Sequence, residues 1–425
     1  MLKMGFNGAK KPKRPSRGGI VAALDVGSTK VCCIIARVED AGSVRVIGVG
    51  HQIATGVRAG SIIDMEAAET SIGAAVHAAE QMAGETIRDV LVNVSGGYPV
   101  SHPFTAEVPV NGQEVTDGDI RRAMAHARTL QVGPDQALVH ALPVGFALDG
   151  NRGIRDPKGM YGDRLAVQVH VITASAGAIR NLQTCVARCH LDIESMVVSP
   201  YASGLACLVD DEMELGSACI DMGGGTTTIS VFSEGNLVWT DCIPVGGSHV
   251  TSDIARGLTT PLVHAERMKA LYGSAMATAA DERETIDVPQ VGEEERGGTN
   301  TVPKSFLVRI IQPRLEEIFE LVRCRLEQSG YAKQVGRRVV LTGGASQLPN
   351  TRELAQLILD KQVRIGRPLR LTGLNEAHGG PAFATAAGLL LYAVRNPTEL
   401  TVPGHEAATA TGFLGRVGLW LRENL

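Results

Sequence analysis

The sequence predicts an α/β fold built from two duplicated domains, and two stretches carry this prediction. The first stretch, at 218–229, reads ACIDMGGGTTTI: an apolar run ends in Asp221 and is followed by a glycine turn and a second apolar run. The second stretch, at 22–35, reads AALDVGSTKVCCII and repeats the pattern around Asp25. A repeat at this distance is typical of two related domains that face each other across one ligand.

Each stretch is predicted to be a β-hairpin whose turn suits a phosphate group. Glycines let backbone N–H groups approach a phosphate oxygen, and threonine hydroxyls add donors. An aspartate at the end of the first strand can hold Mg²⁺ through water. One glycine turn alone is more typical of an ordinary hairpin. Because the pattern occurs twice, we expect a nucleotide between the two turns.

Composition limits the remaining possibilities. The 425 residues exceed one ordinary core, so two or more domains are expected. A net charge of -4 gives no bulk attraction to nucleic acid. The eight cysteines include no CxxC pair, which favours free thiols over a metal site. The basic start, 1–18, lacks a following apolar segment and is predicted to be a flexible tail rather than a signal peptide.

Between the two hairpins, the pattern predicts a helix and then an inserted unit. Asp64 is expected to cap a helix that ends near Ala83. From 86 to about 163, short strands surround one helix at 117–130, which predicts a small α+β subdomain. His140 and His170 lie in apolar strands of this region and are expected to be structural. Helices are predicted at 175–191 and 199–208.

The second half is predicted to continue with helices at 248–258, 262–273 and 305–329, the last interrupted at Pro313. Between them, 277–301 is predicted to form hairpin strands with a mobile loop. A third glycine turn, RVVLTGGASQLPN at 338–350, would let a base or ribose approach the backbone, although a plain βα turn has the same pattern. A final helix is predicted at 384–394.

The C-terminal end has a different pattern. After a polar linker at 396–411, the stretch GFLGRVGLWLRENL places its apolar residues on one helical face. Such a helix suits a membrane interface, and the alternative is a helix that docks on its own protein. The apolar residues are Phe413, Leu414, Val417, Trp420, Leu421 and Leu425.

These features together resemble the actin superfamily of ATPases and, more narrowly, the FtsA family of bacterial cell-division proteins. The most specific parts are AALDVGSTKVCCII, PKGMYGDRLAVQVHVIT, IDMGGGTT and the amphipathic end. The resemblance implies two ribonuclease-H-like domains around a nucleotide cleft, with an inserted subdomain named 1C. The expected division is 19–85 and 163–203 (subdomain 1A), 86–162 (1C), 204–245 and 336–376 (2A), 246–335 (2B), 377–395 (the helix closing 1A), 396–411 (linker) and 412–425 (membrane-targeting helix).

The resemblance also implies ATP and Mg²⁺ as ligands. Asp25 and Asp221 would hold Mg²⁺ through water, and Glu266 with Lys269 would contact the ribose, although alone they form an ordinary i,i+3 ion pair. Arg314 and Glu317 would receive the C-terminal peptide of FtsZ. The remaining nucleotide residues are Gly27, Ser28, Thr29, Lys30, Gly223, Gly224, Gly225, Thr226, Gly246, Gly247, Gly343, Gly344 and Ala345.

One departure from the superfamily pattern concerns hydrolysis. Where actin-type ATPases place Gln or Glu near the terminal phosphate, this sequence has Ser199, with Glu194 further upstream. A hydroxyl is a poor base, so we predict weak or slow hydrolysis.

The implied function is a self-assembling, ATP-binding adaptor that tethers FtsZ filaments to the cytoplasmic face of the inner membrane at the septum. Later division proteins would be recruited through subdomain 1C. Two alternatives share the fold: a sugar- or acetate-type kinase, and a type IV pilus assembly ATP-binding protein. Neither needs the amphipathic C-terminal helix, and no general base for a kinase can be assigned.

Overall fold

The computed structural model describes residues 18–39, 43–127, 131–292, 299–395, 397 and 399–400. The strands are β1 (Ile20–Val26), β2 (Lys30–Val38), β3 (Val44–Ile53), β4 (Val57–Arg58), β5 (Ser61–Ile62), β6 (Asp89–Val94), β7 (Val100–Glu114), β8 (Gln136–Leu148), β9 (Asn151–Ile154), β10 (Tyr161–Ser175), β11 (Asp192–Val198), β12 (Ser217–Met222), β13 (Thr227–Ser233), β14 (Asn236–Ile243), β15 (Thr285–Pro289), β16 (Thr299–Pro303), β17 (Arg338–Thr342), β18 (Gln362–Ile365) and β19 (Leu371–Thr372). The helices are α1 (Met65–Ala83), α2 (Asp117–Ala127), α3 (Ala176–Arg188), α4 (Ser199–Cys207), α5 (Asp210–Leu215), α6 (Gly247–Leu258), α7 (Leu262–Tyr272), α8 (Lys304–Gln328), α9 (Thr351–Leu359) and α10 (Ala384–Arg395).

Two sheets with the same topology confirm the predicted duplication. The first sheet has the order β11-β6-β1-β2-β3-β19, and the second has the order β14-β13-β12-β17-β18. In each sheet, three strands pair antiparallel in chain order. Two later strands are added in parallel on the open side of the first of these three strands. The duplicated hairpins β1–β2 and β12–β13 therefore occupy equivalent central positions.

Helix α1 packs closely on the first sheet, as its alanine-rich face predicts. Asp64 caps it by accepting a hydrogen bond from the Ala67 N–H. On β3, a Cβ at Gly50 would lie 2.0 Å from the Ala75 carbonyl oxygen. Only glycine permits this approach of strand to helix.

The inserted subdomain is shifted relative to its predicted limits of 86 and 162. Strand β6 pairs with β1 and β11 and so belongs to the first sheet. Strand β10 pairs with β7 and β8 as far as Ser175, in a separate sheet of order β7-β10-β8-β9. The insertion therefore lies between these strands, from after Val94 to Ser175, because sheet membership is decided by pairing partners and not by local sequence.

Two helices lie between the sheets. Helices α4 and α10 cross so closely that a Cβ at Gly388 would lie 1.8 Å from the Ala202 carbonyl oxygen. Their apolar side chains join a core that includes residues from both sheets. The chain returns to the first domain at β19, which pairs with β3, rather than at the predicted residue 377.

Three further predictions need correction. The helix predicted to reach Leu191 ends at Arg188 and is followed by β11, which was not predicted. Helix α8 is not interrupted at Pro313 but continues through this exposed residue. Glu399 and Leu400, inside the predicted linker, pack against the inserted subdomain.

Candidate nucleotide-binding site

The turns of the two duplicated hairpins contact each other. A Cβ at Gly224 would lie 2.3 Å from Thr29 Cγ2, and a Cβ at Gly225 would lie 2.4 Å from Ser28 Oγ. Ser28 Oγ also accepts a hydrogen bond from the Gly60 N–H, at 2.9 Å. The structure thus brings together the two phosphate turns that the sequence predicts.

Two buried carboxylates lie under these turns. Burial raises the pKa of Asp25 to about 6; Lys30 opposes this shift and Asp221 adds to it. Burial also raises the pKa of Asp221, against hydrogen bonds that Ser203 and Thr385 donate to it. Burial disfavours the charged form of both acids, so both would gain from a nearby cation.

Asp221 is held by residues that sequence analysis missed. Ser203, on α4, donates to Asp221 Oδ2, and Thr385, on α10, donates to the same oxygen at 3.0 Å. The two helices that lie between the sheets thus fix the carboxylate. The stretch SPYAS, which ends at Ser203, predicts only the start of a helix, and no local signal marks Thr385.

Lys30 contacts a short 3₁₀ helix, Pro381–Phe383, that lies just before α10. Its ammonium donates to the Ala382 carbonyl and lies 3.7 Å from the centre of the Phe383 ring. This cation–π contact holds the positive charge beside Asp25.

The start of α6 is bonded to the second turn. The N–H groups of Gly247 and Ser248 donate to the carbonyls of Gly223 and Gly224, at 2.9 and 2.8 Å. A Cβ at Gly246 would lie 2.6 Å from the Gly223 oxygen. The predicted helix N-terminus therefore supports the turn in this structure, since its first N–H groups are already used.

Lys269 ties α7 to this same helix start. Its ammonium donates to the Gly247 carbonyl at 3.1 Å, to Thr251 Oγ1 at 2.8 Å and to Glu266 at 2.7 Å. The Lys269 side chain is only 17% exposed, whereas that of Glu266 is 58% exposed. The pair is thus more than a surface ion pair, and Glu266 keeps an open carboxylate edge.

The third glycine turn abuts Asp221. Gly343 has a φ of +87°, and a Cβ there would lie 2.3 Å from Asp221 Oδ1. A Cβ at Gly247 would lie 3.1 Å from Ala345 Cβ. Thus the third turn lies directly beside both the start of α6 and the Asp221 carboxylate.

The two residues proposed near the hydrolysed bond have different surroundings. Ser199 Oγ accepts a hydrogen bond from Asn93 Nδ2 at 3.1 Å, and Asn93 Oδ1 accepts from the Val26 N–H at 2.7 Å. Ser199 is thereby linked to the strand that carries Asp25. Glu194 lies five residues earlier on β11, about 16 Å away along an extended strand. Glu194 is thus on the strand that leads to Ser199, whereas Ser199 is the first residue of α4.

The predicted partner and membrane residues lie elsewhere. Arg314 and Glu317 are on α8, where both nitrogens of one Arg314 edge bind Asp253 of α6, at 2.6 and 3.1 Å. The predicted membrane residues, 413–425, are outside the described residues. Within the described ranges, no helix is long and apolar enough to cross a membrane.

The carboxylates of Asp25 and Asp221, together with the glycine turns beside them, fit a nucleotide with bound Mg²⁺. Across the described part of the chain, no group of three or more His, Cys, Asp or Glu side chains could hold a metal ion by itself. Mg²⁺ is commonly held by one or two carboxylates, with substrate phosphates and waters filling its other positions. Two buried acids beside three glycine turns offer that arrangement.

Comparison with known proteins identifies the family. A family model described as "Cell division protein FtsA" matches residues 218–388, and a model described as "SHS2 domain inserted in FTSA" matches 96–173. A cell division protein FtsA from Rhizobium meliloti is 48% identical over 427 residues, covering 97% of each chain. The chain belongs to the FtsA family. The FtsA protein of Escherichia coli is 32% identical, covering 95% of this chain and 98% of that one.

Solved structures show the fold of this FtsA-family chain. The "PilM-PilN type IV pilus biogenesis complex" matches with a TM-score of 0.62 and 17% identity, covering 88% of this chain and 98% of that one. MreB5 of Spiroplasma citri bound to ADP matches with a TM-score of 0.50 and 15% identity, covering 88% and 95%. The fold is actin-like, with the SHS2 domain inserted where the strand pairing places it. Because the chain belongs to the FtsA family of cell-division proteins, the kinase and pilus alternatives are rejected.

Proposed function

We propose that this FtsA-family protein binds ATP with Mg²⁺ in the cleft between its two domains. The observation that carries the proposal is the contact between the turns at Ser28–Thr29 and Gly224–Gly225, above Asp25 and Asp221. Glycine backbones and hydroxyls at such turns suit phosphate oxygens, and the two acids suit a hydrated cation.

The other predicted residues would hold the rest of the nucleotide. The third turn, at Gly343–Ala345, and the open carboxylate of Glu266 flank the start of α6 and suit the adenosine part. Lys30 would supply positive charge to the phosphates once it leaves the Ala382 carbonyl. When bound, Mg²⁺ would neutralise phosphate charge and so reduce the repulsion between the phosphates and the two carboxylates.

We expect ATP to act mainly as a structural ligand that favours a closed, self-assembling form. Ser199 is buried and its hydroxyl is engaged with Asn93, which makes it a poor general base. The measurement is phosphate release in a single turnover with excess protein. Release faster than about one per second would contradict slow hydrolysis, because that is an ordinary enzymatic rate.

For the cellular role, we propose an adaptor that assembles with itself and tethers FtsZ filaments to the cytoplasmic face of the inner membrane at the septum. Family membership in cell division supports this role, and the apolar face at 412–425 suits the interface of an anionic membrane. The inserted subdomain, which has its own core, is the proposed surface for later division proteins.

Membrane attachment should depend on assembly. One short amphipathic helix binds only modestly, because burial of a few apolar side chains is offset by the ordering of the chain. Several helices presented by one polymer raise the effective affinity without a new contact.

Flotation with anionic liposomes, ATP and Mg²⁺ tests the tether. We expect the full chain to float and a chain that ends before Gly412 to stay in the pellet. Trp420→Glu should abolish flotation while leaving nucleotide affinity intact, and Trp420→Phe, which keeps an apolar ring, should retain it. If neither full chain nor truncated chain floats, the tether is wrong and the helix docks on protein.

A further inference from the structure

Thr228 carries a buried hydroxyl that no described residue meets. It is 3% exposed, and its Oγ1 and that of Thr351 are the two buried side-chain N or O atoms of the described residues without a hydrogen-bond partner. Its neighbours are satisfied: Thr227 donates to the Val245 carbonyl at 2.8 Å, and Ser230 donates to the Cys219 carbonyl. Buried polar groups normally have partners, so Thr228 indicates a missing water or ligand atom.

The strand register places Thr228 beside Asp221. On the hairpin β12–β13, Asp221 is paired directly with Thr228, so both side chains lie on the same face of the sheet. On its other side Asp221 pairs with Thr342 of β17, the residue before the third glycine turn. Asp221 therefore separates Thr228 from the turn proposed for the adenosine part.

On its far side Thr228 approaches the first domain. Its partner across β13–β14 is Cys242, whose Sγ lies 3.5 Å from the Ser95 carbonyl oxygen. Ser95 follows Asn93 by two residues, and Asn93 binds Ser199 and the backbone beside Asp25. The hydroxyl thus lies where the second hairpin meets the end of β6.

We propose that the Thr228 hydroxyl binds the terminal phosphate of ATP and so distinguishes ATP from ADP. A nucleotide whose adenosine lies at the third turn must extend its phosphates past Asp221, toward Thr228 and the first domain. The hydroxyl can donate a hydrogen bond to a phosphate oxygen. This bond would remove the free-energy cost of burying the hydroxyl without a partner. This inference rests on the proposed binding of ATP.

The test compares Thr228→Val with Thr351→Val, which removes the other unpartnered hydroxyl. Isothermal titration of each full chain with ATP and with ADP, both with Mg²⁺, gives the two Kd values. Thr228→Val should weaken ATP binding about tenfold or more and leave ADP binding unchanged, because a hydrogen bond to a charged group is lost. Thr351→Val should leave the ratio of the two Kd values unchanged.

Two further measurements separate a ligand contact from a structural role. Without nucleotide, Thr228→Val should keep or raise Tm, because valine removes an unpaired polar atom without changing the shape of the side chain. Thr228→Ser, which keeps the hydroxyl, should retain the preference for ATP.

Several outcomes would overturn the inference. They are equal losses for ATP and ADP, no loss for either, a preference lost in Thr228→Ser, or a fall in the Tm of nucleotide-free Thr228→Val. If the unaltered chain binds neither nucleotide, the proposed function fails together with the inference. If it binds both and Thr228→Val changes nothing, only the inference fails.

Discussion

Glu399 and His140 are joined by a hydrogen bond of 2.9 Å although 259 residues separate them in the chain. His140 Nε2 accepts the Val198 N–H at 3.1 Å, so Nδ1 carries the proton and donates to Glu399. The Tyr392 hydroxyl donates to the same carboxylate oxygen, and the N–H of the buried Leu400 donates to the Ala141 carbonyl. The start of the predicted linker is therefore fixed to the inserted subdomain, next to the strand that leads to Ser199.

Removing this carboxylate should destabilise the fold. In Glu399→Ala, the buried His140 and Tyr392 both lose a partner, and we expect the free energy of unfolding to fall by about 1–3 kcal/mol. Chemical denaturation measures the change, with Glu376→Ala at an exposed position as the control. If both variants unfold like the unaltered chain, the contact is not formed in solution.

His170 should make the protein sensitive to acid. Burial lowers the pKa of His170 to about 4, against a hydrogen bond to Leu237 that raises it. The folded state thus resists a proton that the unfolded state accepts below its ordinary pKa of 6.5. The stability that the neutral His170 contributes is fully present above pH 6.5 and is lost as the pH falls toward 4. The loss in the free energy of unfolding from this group is about 3 kcal/mol.

His170 is kept neutral at the contact between the inserted subdomain and the second sheet. His170 Nδ1 donates to the Leu237 carbonyl of the second sheet at 3.0 Å, and its Nε2 accepts from Ser101 at 2.5 Å. Chemical denaturation between pH 4 and 7 should show a shallower pH dependence for His170→Asn than for the unaltered chain. The exposed His77 provides the matched control, His77→Asn, which should keep the original slope. Equal slopes for all three chains would contradict a neutral buried histidine.

The fold and the main site were predictable because their signals are local. An acid before a glycine turn identifies each hairpin, and its recurrence predicts the duplicated sheets that the structure shows. Asp64 and the alanine-rich pattern after it likewise predicted α1 with its cap.

The sequence did not predict which sheet each strand joins, nor which distant side chains meet at Asp221. Strands β6 and β10 read alike in sequence, yet β6 joins the first sheet and β10 the inserted one, because pairing partners are chosen by the whole fold. Ser203 and Thr385 meet at Asp221 only because α4 and α10 cross between the sheets. No local pattern marks Thr228, because an unpartnered hydroxyl is visible only once its surroundings are known.

A double-mutant cycle tests whether Arg314 serves the fold or a partner. The side chains of Arg314 and Asp253 are 26% and 22% exposed, and their two hydrogen bonds join α8 to α6. We expect a coupling energy of about 1 kcal/mol for unfolding, since the pair is partly shielded from water. Alanine variants at both positions, singly and together, supply the cycle.

Binding of the FtsZ C-terminal peptide is measured on the same variants. If Arg314 contacts the peptide directly, Arg314→Ala should weaken binding and Asp253→Ala should retain it. Equal losses in both variants would show that Arg314 acts only by holding the two helices together, and the proposed partner site would then have to be moved along α8.

Gly343 and Gly344 offer the sharpest test of the third turn, because they are adjacent and differ in the space around them. A Cβ at Gly343 would lie 2.3 Å from Asp221 Oδ1 on a backbone with φ +87°, whereas a Cβ at Gly344 would meet its nearest atom, Ala382 Cβ, at 3.8 Å. Gly343→Ala combines a left-handed backbone with a clash, so we expect it to lower the free energy of unfolding by more than about 2 kcal/mol.

The same pair of variants reports on the nucleotide. Gly343→Ala must displace Asp221 or the turn, so ATP affinity should fall together with stability, whereas Gly344→Ala should keep the stability of the unaltered chain, and any loss of ATP affinity in it comes from direct contact with the nucleotide. Denaturation and nucleotide titration on the two variants measure these effects. A Gly343→Ala chain as stable as the original would mean that the turn stands away from Asp221 in solution, and the adenosine part could then no longer be assigned to it.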